Sequence, residues 1–479
     1  MSDRARRTLP TWRDDDRVRD ECGIFAISGL EKAAELAFLG LYSLQHRGQE
    51  SAGIVAIDSD GTARSHKGMG HVSEAFDDSI LAGLPGDLAL GHVRYSTAGS
   101  SSLRNAQPVL VNYRHGSMAL AHNGTLTNGG ELRDRLSGEG AIFQTESDSE
   151  VVIHLIARSR RELPDHQVDD ALSQLVGAFS LLLSVGRTLY VARDARGFRP
   201  LVLGRLGDAV VVASETCALD IIGAEYERDV HPGEVLRIED GRIQKLRPLE
   251  PAPHTPCLFE LVYFARPDSR IWGCTVDRAR RAFGRQLARE HPADADCVFA
   301  VPDSSNSAAL GYSEESGLPY ELALIRNHYV GRTFIHPVQE GRDFRVRVKY
   351  NPVTELIEGR RVVVIDDSLV RGTTSRGLVT LLKEAGAREI HFRVASPPII
   401  APCYYGIDMP TREELIGATH TVEEIRQHLG VESLGYLSLE GMRAMVEQHG
   451  PFCDACWTGD YPAPLVDLEN GAFAGSRVP

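Results

Sequence analysis

The segment VVVIDDSLVRGTTS, residues 362–375, constrains the fold of this chain more than any other. Its apolar, mostly β-branched start predicts a buried strand, and Asp366 and Asp367 follow at the carboxyl end of that strand. A turn rich in Gly, Ser and Thr then leads into a predicted helix. Open α/β sheets bind ligands at this edge, and the N-terminus of a helix attracts anions. The segment therefore predicts a phosphate site on a parallel sheet.

The side chains of this turn suit a phosphate monoester attached to a sugar. Hydroxyl groups and backbone N–H groups at the start of the helix can bind the phosphate, while the arginine adds charge and the glycine leaves space. The two carboxylates suit ribose hydroxyls and a Mg²⁺ ion on a diphosphate. A solvated acidic turn is the alternative for an isolated acidic pair. The predicted binding residues are Asp366, Asp367, Ser368, Arg371, Gly372, Thr373, Thr374 and Ser375.

The chain divides into two parts of different pattern. From Cys22 to about residue 250, short β-rich runs separated by turn residues predict a layered α+β domain, with helices over 31–45, near 130 and from 147. Beyond the Pro-rich stretch 248–256, strands and helices alternate, which predicts an α/β domain with a parallel sheet. We predict a leader (1–21), two domains (22–250 and 251–461) and a loosely held tail (462–479).

Composition excludes several classes of protein. The 479 residues include 52 Lys and Arg against 66 Asp and Glu, a net charge of −14, which argues against binding nucleic acid through its phosphates. The leader lacks the apolar core of a signal peptide, and no apolar run is long enough to span a bilayer. We therefore expect a cytoplasmic protein with no membrane partner. Its 8 cysteines are too sparse for a disulfide scaffold.

Five short motifs are spaced along the amino-terminal half. They are DECGIFAIS around Cys22, HRGQESAG (46–53), GHVRYST (91–97), AHNGTLTN (121–128) and SDSE (147–150). Together they resemble the class II glutamine amidotransferase domain, an amino-terminal-nucleophile fold with four αββα layers. The segment 362–375, with VPDSSNSAALGY (301–312), resembles type I phosphoribosyltransferases, which bind phosphoribosyl pyrophosphate (PRPP). The combination, over about residues 22–461, resembles the glutamine PRPP amidotransferase family.

The resemblance implies a cysteine nucleophile at the start of a processed chain. Cleavage between Glu21 and Cys22 would remove the leader, by autocatalytic processing. A free α-amino group has a pKa near 8, so it can act as a general base beside its own thiol. The thiol would attack the glutamine side-chain amide, giving a glutamyl thioester and ammonia.

Four further residues correspond to the family's glutamine site. The side chain of Asn123 and the N–H of Gly124 match the oxyanion hole, Arg94 matches the site of the glutamine α-carboxylate, and Asp148 that of the α-ammonium. Considered singly, Arg94 is typical of a surface strand and Asp148 of a helix N-cap. The family commonly has Asn where this chain has Thr125, from which we expect little catalytic effect.

The resemblance also assigns residues on the PRPP side. Ser304, after the Pro-acid pair, is the candidate on the Mg²⁺ side. The basic segment 326–352 has few apolar anchors and suggests a lid over a polyanion, an exposed basic loop being the alternative. Its candidate contacts are Arg332, Arg342, Arg347 and Lys349, of which we assign Arg332 and Lys349 to PRPP.

Four cysteines match the ligands of a [4Fe–4S] cluster in the longer form of this family. They are Cys257, Cys403, Cys453 and Cys456, the last two forming a CxxC. A structural Cys₄ zinc site is the alternative, because Zn²⁺ also accepts four thiolates. The remaining cysteines, Cys217, Cys274 and Cys297, lie outside this set.

The implied function is that of an enzyme which transfers ammonia from glutamine to the ribose C1 of PRPP. Pyrophosphate leaves and phosphoribosylamine forms, the first committed step of purine synthesis, with Mg²⁺ and the cluster as cofactors. The resemblance also implies a homotetramer inhibited by purine nucleotides. The alternatives are another class II amidotransferase, a PRPP-sensing regulator, or a salvage phosphoribosyltransferase, whose chain would be less than about half this length.

Overall fold

The structure, a computed structural model, describes residues 22–95, 102–327 and 342–469, with the backbone alone for 342–345. Two stacked antiparallel sheets form its amino-terminal half. Their strands are β1 (Gly23–Ser28), β2 (Ser51–Ile57), β3 (Ala63–Met69), β4 (Leu88–Arg94), β5 (Val109–Tyr113), β6 (Gly116–Leu126), β7 (Gly177–Val185), β8 (Thr188–Arg193), β9 (Val202–Leu206), β10 (Ala209–Ala213), β11 (Glu225–Asp229), β12 (Val235–Glu239) and β13 (Arg242–Lys245).

Within the described residues, one sheet has the order β11-β9-β10-β1-β4-β2-β3 and the other β13-β12-β8-β7-β6-β5. Alternating side chains explain how the sheets stack. On β1, Ile24 and Ala26 pack between the two sheets, whereas Phe25 and Ile27 pack against the outer helices. The helices of this half are α1 (Ala33–Ser43), α2 (Val72–Ala75), α3 (Asp78–Ala82), α4 (Gly129–Gly138), α5 (Ser149–Arg158), α6 (Pro164–Leu172) and α7 (Cys217–Asp220).

Helices cover both outer faces, so the four-layer αββα prediction is confirmed. The predicted helix over 31–45 is observed as α1. The helix predicted from residue 147 begins at Ser149 and ends at Arg158.

A parallel sheet forms the carboxyl-terminal half, as predicted. It contains β16 (Cys297–Ala300), β19 (Arg361–Asp366), β20 (Glu389–Val394) and β21 (Ser433–Tyr436), in that order. Two further two-stranded sheets contain β14 (Arg270–Ile271) with β15 (Cys274–Thr275) and β17 (Leu324–Arg326) with β18 (Tyr350–Pro352). The helices are α8 (Val276–Glu290), α9 (Asn306–Ser316), α10 (Arg342–Lys349), α11 (Thr373–Glu384), α12 (Ile416–Thr419), α13 (Val422–Leu429), α14 (Leu439–Val446), α15 (Ala455–Thr458) and α16 (Val466–Glu469).

Strand β19 is an inner strand of this sheet, and both of its faces are buried. Val363 and Ile365 pack with α8 and α9, whereas Val362 and Val364 pack with α11. A strand buried on both sides has a continuous apolar sequence, which explains why this one was predictable. It ends at Asp366, the first residue of the acidic pair.

Two expectations need correction. The basic segment was expected to have few apolar anchors, but residues 342–349 form α10, and Val346 and Tyr350 are buried in the core. The tail was expected to be loosely held, but residues 462–469 pack on the first half. There the N–H of Asp467 donates to Thr127 O at 2.8 Å, and the hydroxyl of Thr127 donates to Pro464 O at 2.7 Å. The leader, Arg332 and residues 470–479 lie outside the described residues.

Candidate active site

Cys22 immediately precedes β1, at the edge where β4 ends. The register of these strands pairs Gly23 with Val93, which places Cys22 beside Arg94. Its thiol donates to Tyr95 O at 3.6 Å, and its own carbonyl accepts the Nε–H of Arg47 at 3.2 Å. Arg94 is 3% exposed, so it is not a surface residue of the strand.

Asn123 lies near the end of β6 with 1% of its surface exposed. A hydrogen bond of 3.0 Å from His92 Nε2 to His122 O joins β4 to β6 one residue before it. Burial lowers the pKa of His92 to about 3, so its ring is neutral and donates this single proton. The side-chain Nδ2 of Asn123 is buried with no hydrogen-bond partner among the described residues. Because an unpaired buried donor is costly, this amide group is available for a ligand.

Gly124 follows in a conformation that requires glycine. Its φ is +136°, and a Cβ there would lie 2.1 Å from Ala178 O. No other residue fits between β6 and β7 at this point. The predicted oxyanion pair is therefore a buried amide next to an obligatory glycine.

Asp148 lies at the start of α5, but its side chain makes no capping hydrogen bond to that helix. Its Oδ2 accepts the N–H of Leu126 at 2.8 Å, so the carboxylate faces the end of β6. The helix-cap interpretation of Asp148 is therefore wrong. The structure brings this carboxylate to the strand that carries Asn123 and Gly124.

A buried cluster of charges lies behind Cys22, and the sequence did not predict it. Arg47 pairs with Glu215 and with Glu260, and all three side chains are fully buried. Burial opposes ionisation of Glu215, but its interactions with His46 and Arg47 outweigh burial and hold the pKa of this carboxyl well below its usual range. Arg47 belongs to the HRGQESAG motif, and this membership was the only sequence feature that could have indicated a role for Arg47 near Cys22.

The acidic pair lies at the end of β19 as predicted. Asp366 and Asp367 are both buried, and the hydroxyl of Ser304 donates to Asp367. Ser368 donates to the other oxygen of Asp367 at 2.6 Å, and Ser305 lies 3.4 Å from both carboxylates. The structure therefore brings Ser304 to the acidic pair, although more than 60 residues separate them in sequence.

The predicted phosphate turn leads directly into α11. Gly372 has a φ of +79° and precedes the first helical residue, and a Cβ on it would lie 2.9 Å from Ile416 Cδ1. Thr373, Thr374 and Ser375 form the first turn of α11, and the leading N–H groups of a helix can bind an anion. Arg371 is ion-paired with Glu414 at 2.9 Å.

The basic residues before this turn are only partly described. Arg347 pairs with Glu384 of α11, and the Lys349 ammonium lies 5.7 Å from the centre of the Tyr350 ring. Arg332 and the side chain of Arg342 are outside the described residues. The role of these residues in binding PRPP remains a prediction.

Three separate segments bring the four predicted cluster cysteines together. Cys453 N donates to Pro256 O, next to Cys257, and Cys456 O accepts the N–H groups of Ile400 and Ala401. Burial, together with the nearby Cys257, Cys453 and Cys403, raises the pKa of Cys456 well above its ordinary value. Burial likewise raises the pKa of Cys453 to about 12. Within the described ranges, no three His, Cys, Asp or Glu side chains are arranged to hold a single metal ion.

The described residues thus contain a cysteine at the start of a strand in one sheet, a buried amide without a partner among them in the facing sheet, and a separate acidic turn beside the N-terminus of a helix. The first arrangement suits amide hydrolysis, and the second suits a phosphorylated sugar. Their combination on an αββα domain and an α/β domain defines the class of protein, a glutamine amidotransferase joined to a phosphoribosyltransferase.

Known proteins agree with this class. The family model described as a glutamine amidotransferase domain matches residues 92–220. The amidophosphoribosyltransferase of Bacillus subtilis is 49% identical over 454 residues, 94% of this chain and 95% of that protein. The enzyme of Methanothermobacter thermautotrophicus is 48% identical over 457 residues, 94% of this chain and 96% of that protein.

Solved structures show the same relationship. The glutamine PRPP amidotransferase of B. subtilis, complexed with ADP and GMP, superposes with a TM-score of 0.88 and 48% identity, over 93% of this chain and 98% of that one. The chain belongs to the amidophosphoribosyltransferase family. The predicted enzyme class is confirmed. No helix in the described residues is long and apolar enough to cross a membrane.

Proposed function

We propose that this chain converts glutamine and PRPP into phosphoribosylamine, glutamate and pyrophosphate through the residues described above. The unpaired, buried Nδ2 of Asn123 carries the glutaminase half of the proposal. A donor held in a dry site without an acceptor is preorganised for charge that develops only during a reaction.

Hydrolysis would begin at the Cys22 thiol. After removal of the leader, its α-amino group takes the thiol proton, and the sulfur attacks the side-chain amide carbon of glutamine. Asn123 and Gly124 stabilise the resulting oxyanion, each such donor contributing roughly 10²–10³-fold in rate. The proton then passes to the leaving ammonia, and water hydrolyses the thioester to glutamate. Arg94 and Asp148 hold the charged end of the substrate.

Transfer to PRPP would take place at the acidic turn. Asp366 and Asp367 suit the ribose hydroxyls, and the first turn of α11 suits the 5-phosphate. The same carboxylates, with Ser304, would hold Mg²⁺, which neutralises charge on the leaving diphosphate. Passage of ammonia inside the protein would protect it from water.

We also propose that Cys257, Cys403, Cys453 and Cys456 hold a [4Fe–4S] cluster of structural role. Cys257 and Cys453 are paired in an isolated β-bridge, and Cys456 O accepts the N–H groups of Ile400 and Ala401, in the segment that leads to Cys403. Four thiolates are the number that such a cluster requires, so these four cysteines would hold it.

Metal analysis of anaerobically purified protein tests the cluster. We expect a brown protein with iron and sulfide in equal amounts. Cys456→Ser should lose the colour, whereas Cys274→Ser, a buried cysteine outside the set, should keep it. Stoichiometric zinc without sulfide would contradict the proposal.

Nucleotide inhibition, tetramer formation and a cytoplasmic location stay predictions for this chain. The B. subtilis relative was solved with ADP and GMP, which supports the first.

Glutamate release from glutamine tests the enzymatic proposal. We expect strong stimulation by PRPP with Mg²⁺. Cys22→Ser should abolish glutamine use and keep turnover with high ammonia, because only the first site needs the thiol. Glutamine use by the Cys22→Ser protein would show that Cys22 is not the nucleophile.

A further inference from the structure

Gly406, in the carboxyl-terminal half, lies directly against Gly124. Its φ is +116°, and a Cβ built on it would lie 3.0 Å from Gly124 Cα and 3.2 Å from Gly124 C. On its other side, Gly124 is confined by Ala178 O of β7. The backbone of the proposed oxyanion glycine is therefore enclosed between its own sheet and a segment of the other half.

A buried arginine of the first half fixes the position of Gly406. Arg199 Nε and Nη2 both donate to Tyr405 O, at 3.0 Å and 2.6 Å. The Phe198 and Tyr405 rings stack at 4.4 Å between centroids and 19° between planes. Phe198 and Arg199 follow β8, in the domain that also carries Gly124. That domain therefore contacts Tyr405, the residue before Gly406, through a hydrogen-bonded arginine and a stacked ring.

The chain segment that ends at Gly406 begins at the acidic turn. The N–H of Ala395 donates to Asp366 O, and the hydroxyl of Ser396 donates to Asp367 O, both at 2.8 Å. Residues 395–406 therefore form one continuous connection, hydrogen-bonded to the acidic pair at one end and packed on Gly124 at the other.

We propose that Gly406 is a positioning residue for glutamine hydrolysis, and that residues 395–406 transmit the state of the PRPP turn to the oxyanion hole. The proposal rests on the proposed role of Gly124. An oxyanion donor acts only when it is aimed at the developing charge, so a shift of this backbone by a fraction of an ångström weakens catalysis while substrate binding changes little.

A Gly406→Ala variant tests the positioning role, because the added methyl group would lie 3.0 Å from Gly124 Cα and 3.1 Å from Arg199 Nη2, so these neighbours must shift by a few tenths of an ångström. The matched control is Gly116→Ala, at the opposite end of β6, where φ is +98° and nothing lies within 4 Å of a built Cβ. Both variants carry the strain of a positive φ, but only Gly406→Ala presses on the oxyanion strand.

We expect Gly406→Ala to lower kcat with glutamine by roughly 10²-fold, with KM for glutamine within about threefold of the parent. Ammonia-dependent turnover of PRPP should stay within about twofold, since it bypasses the oxyanion hole. Alkylation of Cys22 by iodoacetamide, followed on its peptide by mass spectrometry, should keep the parent rate. Gly116→Ala should behave as the parent in all three assays.

A milder variant, Arg199→Lys, keeps a positive charge near Glu260 but cannot donate twice to Tyr405 O. Its kcat with glutamine should fall while its turnover with ammonia stays near the parent value. Stimulation of its glutamate release by PRPP should be at least about fivefold smaller than in the parent. This variant decides the question if Gly406→Ala does not fold.

The positioning role would be overturned if Gly406→Ala kept the kcat of the parent with glutamine. It would also be overturned if the variant lost activity equally with glutamine and with ammonia. Unchanged PRPP stimulation in Arg199→Lys would overturn transmission through residues 395–406. Failure of the proposed glutaminase function looks different, because Cys22→Ser would then still hydrolyse glutamine.

Discussion

The guanidinium of Arg47 lies 2.6 Å from the carboxylate of Glu260, and both side chains are fully buried. Arg47 belongs to the amino-terminal half, just before β2, whereas Glu260 begins a π-helical turn (Glu260–Phe264) that opens the carboxyl-terminal half. Arg47 also donates to the carbonyl of Cys22. The buried ion pair between the two halves therefore lies next to the proposed nucleophile.

Replacement of Arg47 by Met should destabilise the protein strongly. It leaves Glu215 and Glu260 buried without their shared cation, and loss of one partner from a buried pair costs about 3–5 kcal/mol. We expect a marked fall in the free energy of unfolding, measured by urea denaturation, together with loss of glutamine hydrolysis.

The control for Arg47 is Arg205→Met. Arg205 pairs with Glu227 at 3.2 Å on the surface, where such pairs contribute about 0–1 kcal/mol. Equal destabilisation by the two substitutions would show that burial does not determine the strength of the Arg47 cluster.

Patterns within one segment were predictable from the sequence, and contacts between distant segments were not. Short β-rich runs predicted the layered first half, and the continuous apolar run of β19 predicted the parallel sheet, because these patterns lie within single segments of the sequence. The acidic pair and Ser304 were predicted through their motifs and lie together in the fold.

Other features depend on which segments meet. Gly406 is one of 45 glycines, and nothing in its own sequence neighbourhood tells that it faces Gly124. Arg47 and Glu260 are unremarkable charges until the fold buries them together. Asp148 has the sequence signature of a helix cap, but tertiary structure directs its carboxylate to Leu126 instead.

Gly372→Ala should weaken PRPP binding. The residue has a φ of +79°, which strains any side chain, and the new methyl group would meet Ile416 Cδ1 at 2.9 Å, so the Ile416 side chain or the turn before α11 must shift. A strain of about 1–2 kcal/mol corresponds to roughly tenfold in KM for PRPP, measured in the ammonia-dependent reaction.

Gly359→Ala is the control for this turn. It has a similar φ of +71°, but nothing lies within 4 Å of its built Cβ. Its KM for PRPP should match the parent value. A rise as large as that of Gly372→Ala would indicate general backbone strain rather than a change in the phosphate turn.

Acidification should destabilise the protein through His92. Burial lowers the pKa of His92 from 6.5 to about 3, so between these values the unfolded chain binds a proton that the folded chain does not. The stability contributed by neutral His92 is complete above pH 6.5 and falls by up to about 1.4 kcal/mol per pH unit below it.

His92→Gln removes the titrating imidazole and keeps an N–H group that can donate to His122 O. The free energy of unfolding of both proteins is measured from pH 7.5 to 5. The difference in the free energy of unfolding between the two proteins at pH 7.5 measures the change in packing. A shallower dependence of that free energy on pH in the variant measures the protonation of His92 in the unfolded chain. Parallel slopes would mean that His92 does not remain neutral in the fold.

Asp467 connects the carboxyl-terminal segment to the glutamine side of the protein. Its two carboxylate oxygens accept the N–H groups of Gly130 and Glu131, at 2.7 Å and 2.9 Å, in the first turn of α4. That helix begins at Gly129, where a built Cβ would lie 3.1 Å from Asp148 Cβ. The segment therefore supports the helix beside the proposed ammonium ligand.

Asp467→Ala should loosen the start of α4, because a carboxylate acceptor at a helix N-terminus contributes about 1–2 kcal/mol. We expect faster hydrogen exchange in residues 129–138 and a KM for glutamine raised about three- to tenfold, with KM for PRPP unchanged. Glu469→Ala, an exposed change on the same short helix, should alter neither quantity. If exchange in α4 stayed at the parent rate in Asp467→Ala, the segment would not support the glutamine site. If exchange rose while KM for glutamine stayed constant, it would stabilise α4 without influencing Asp148.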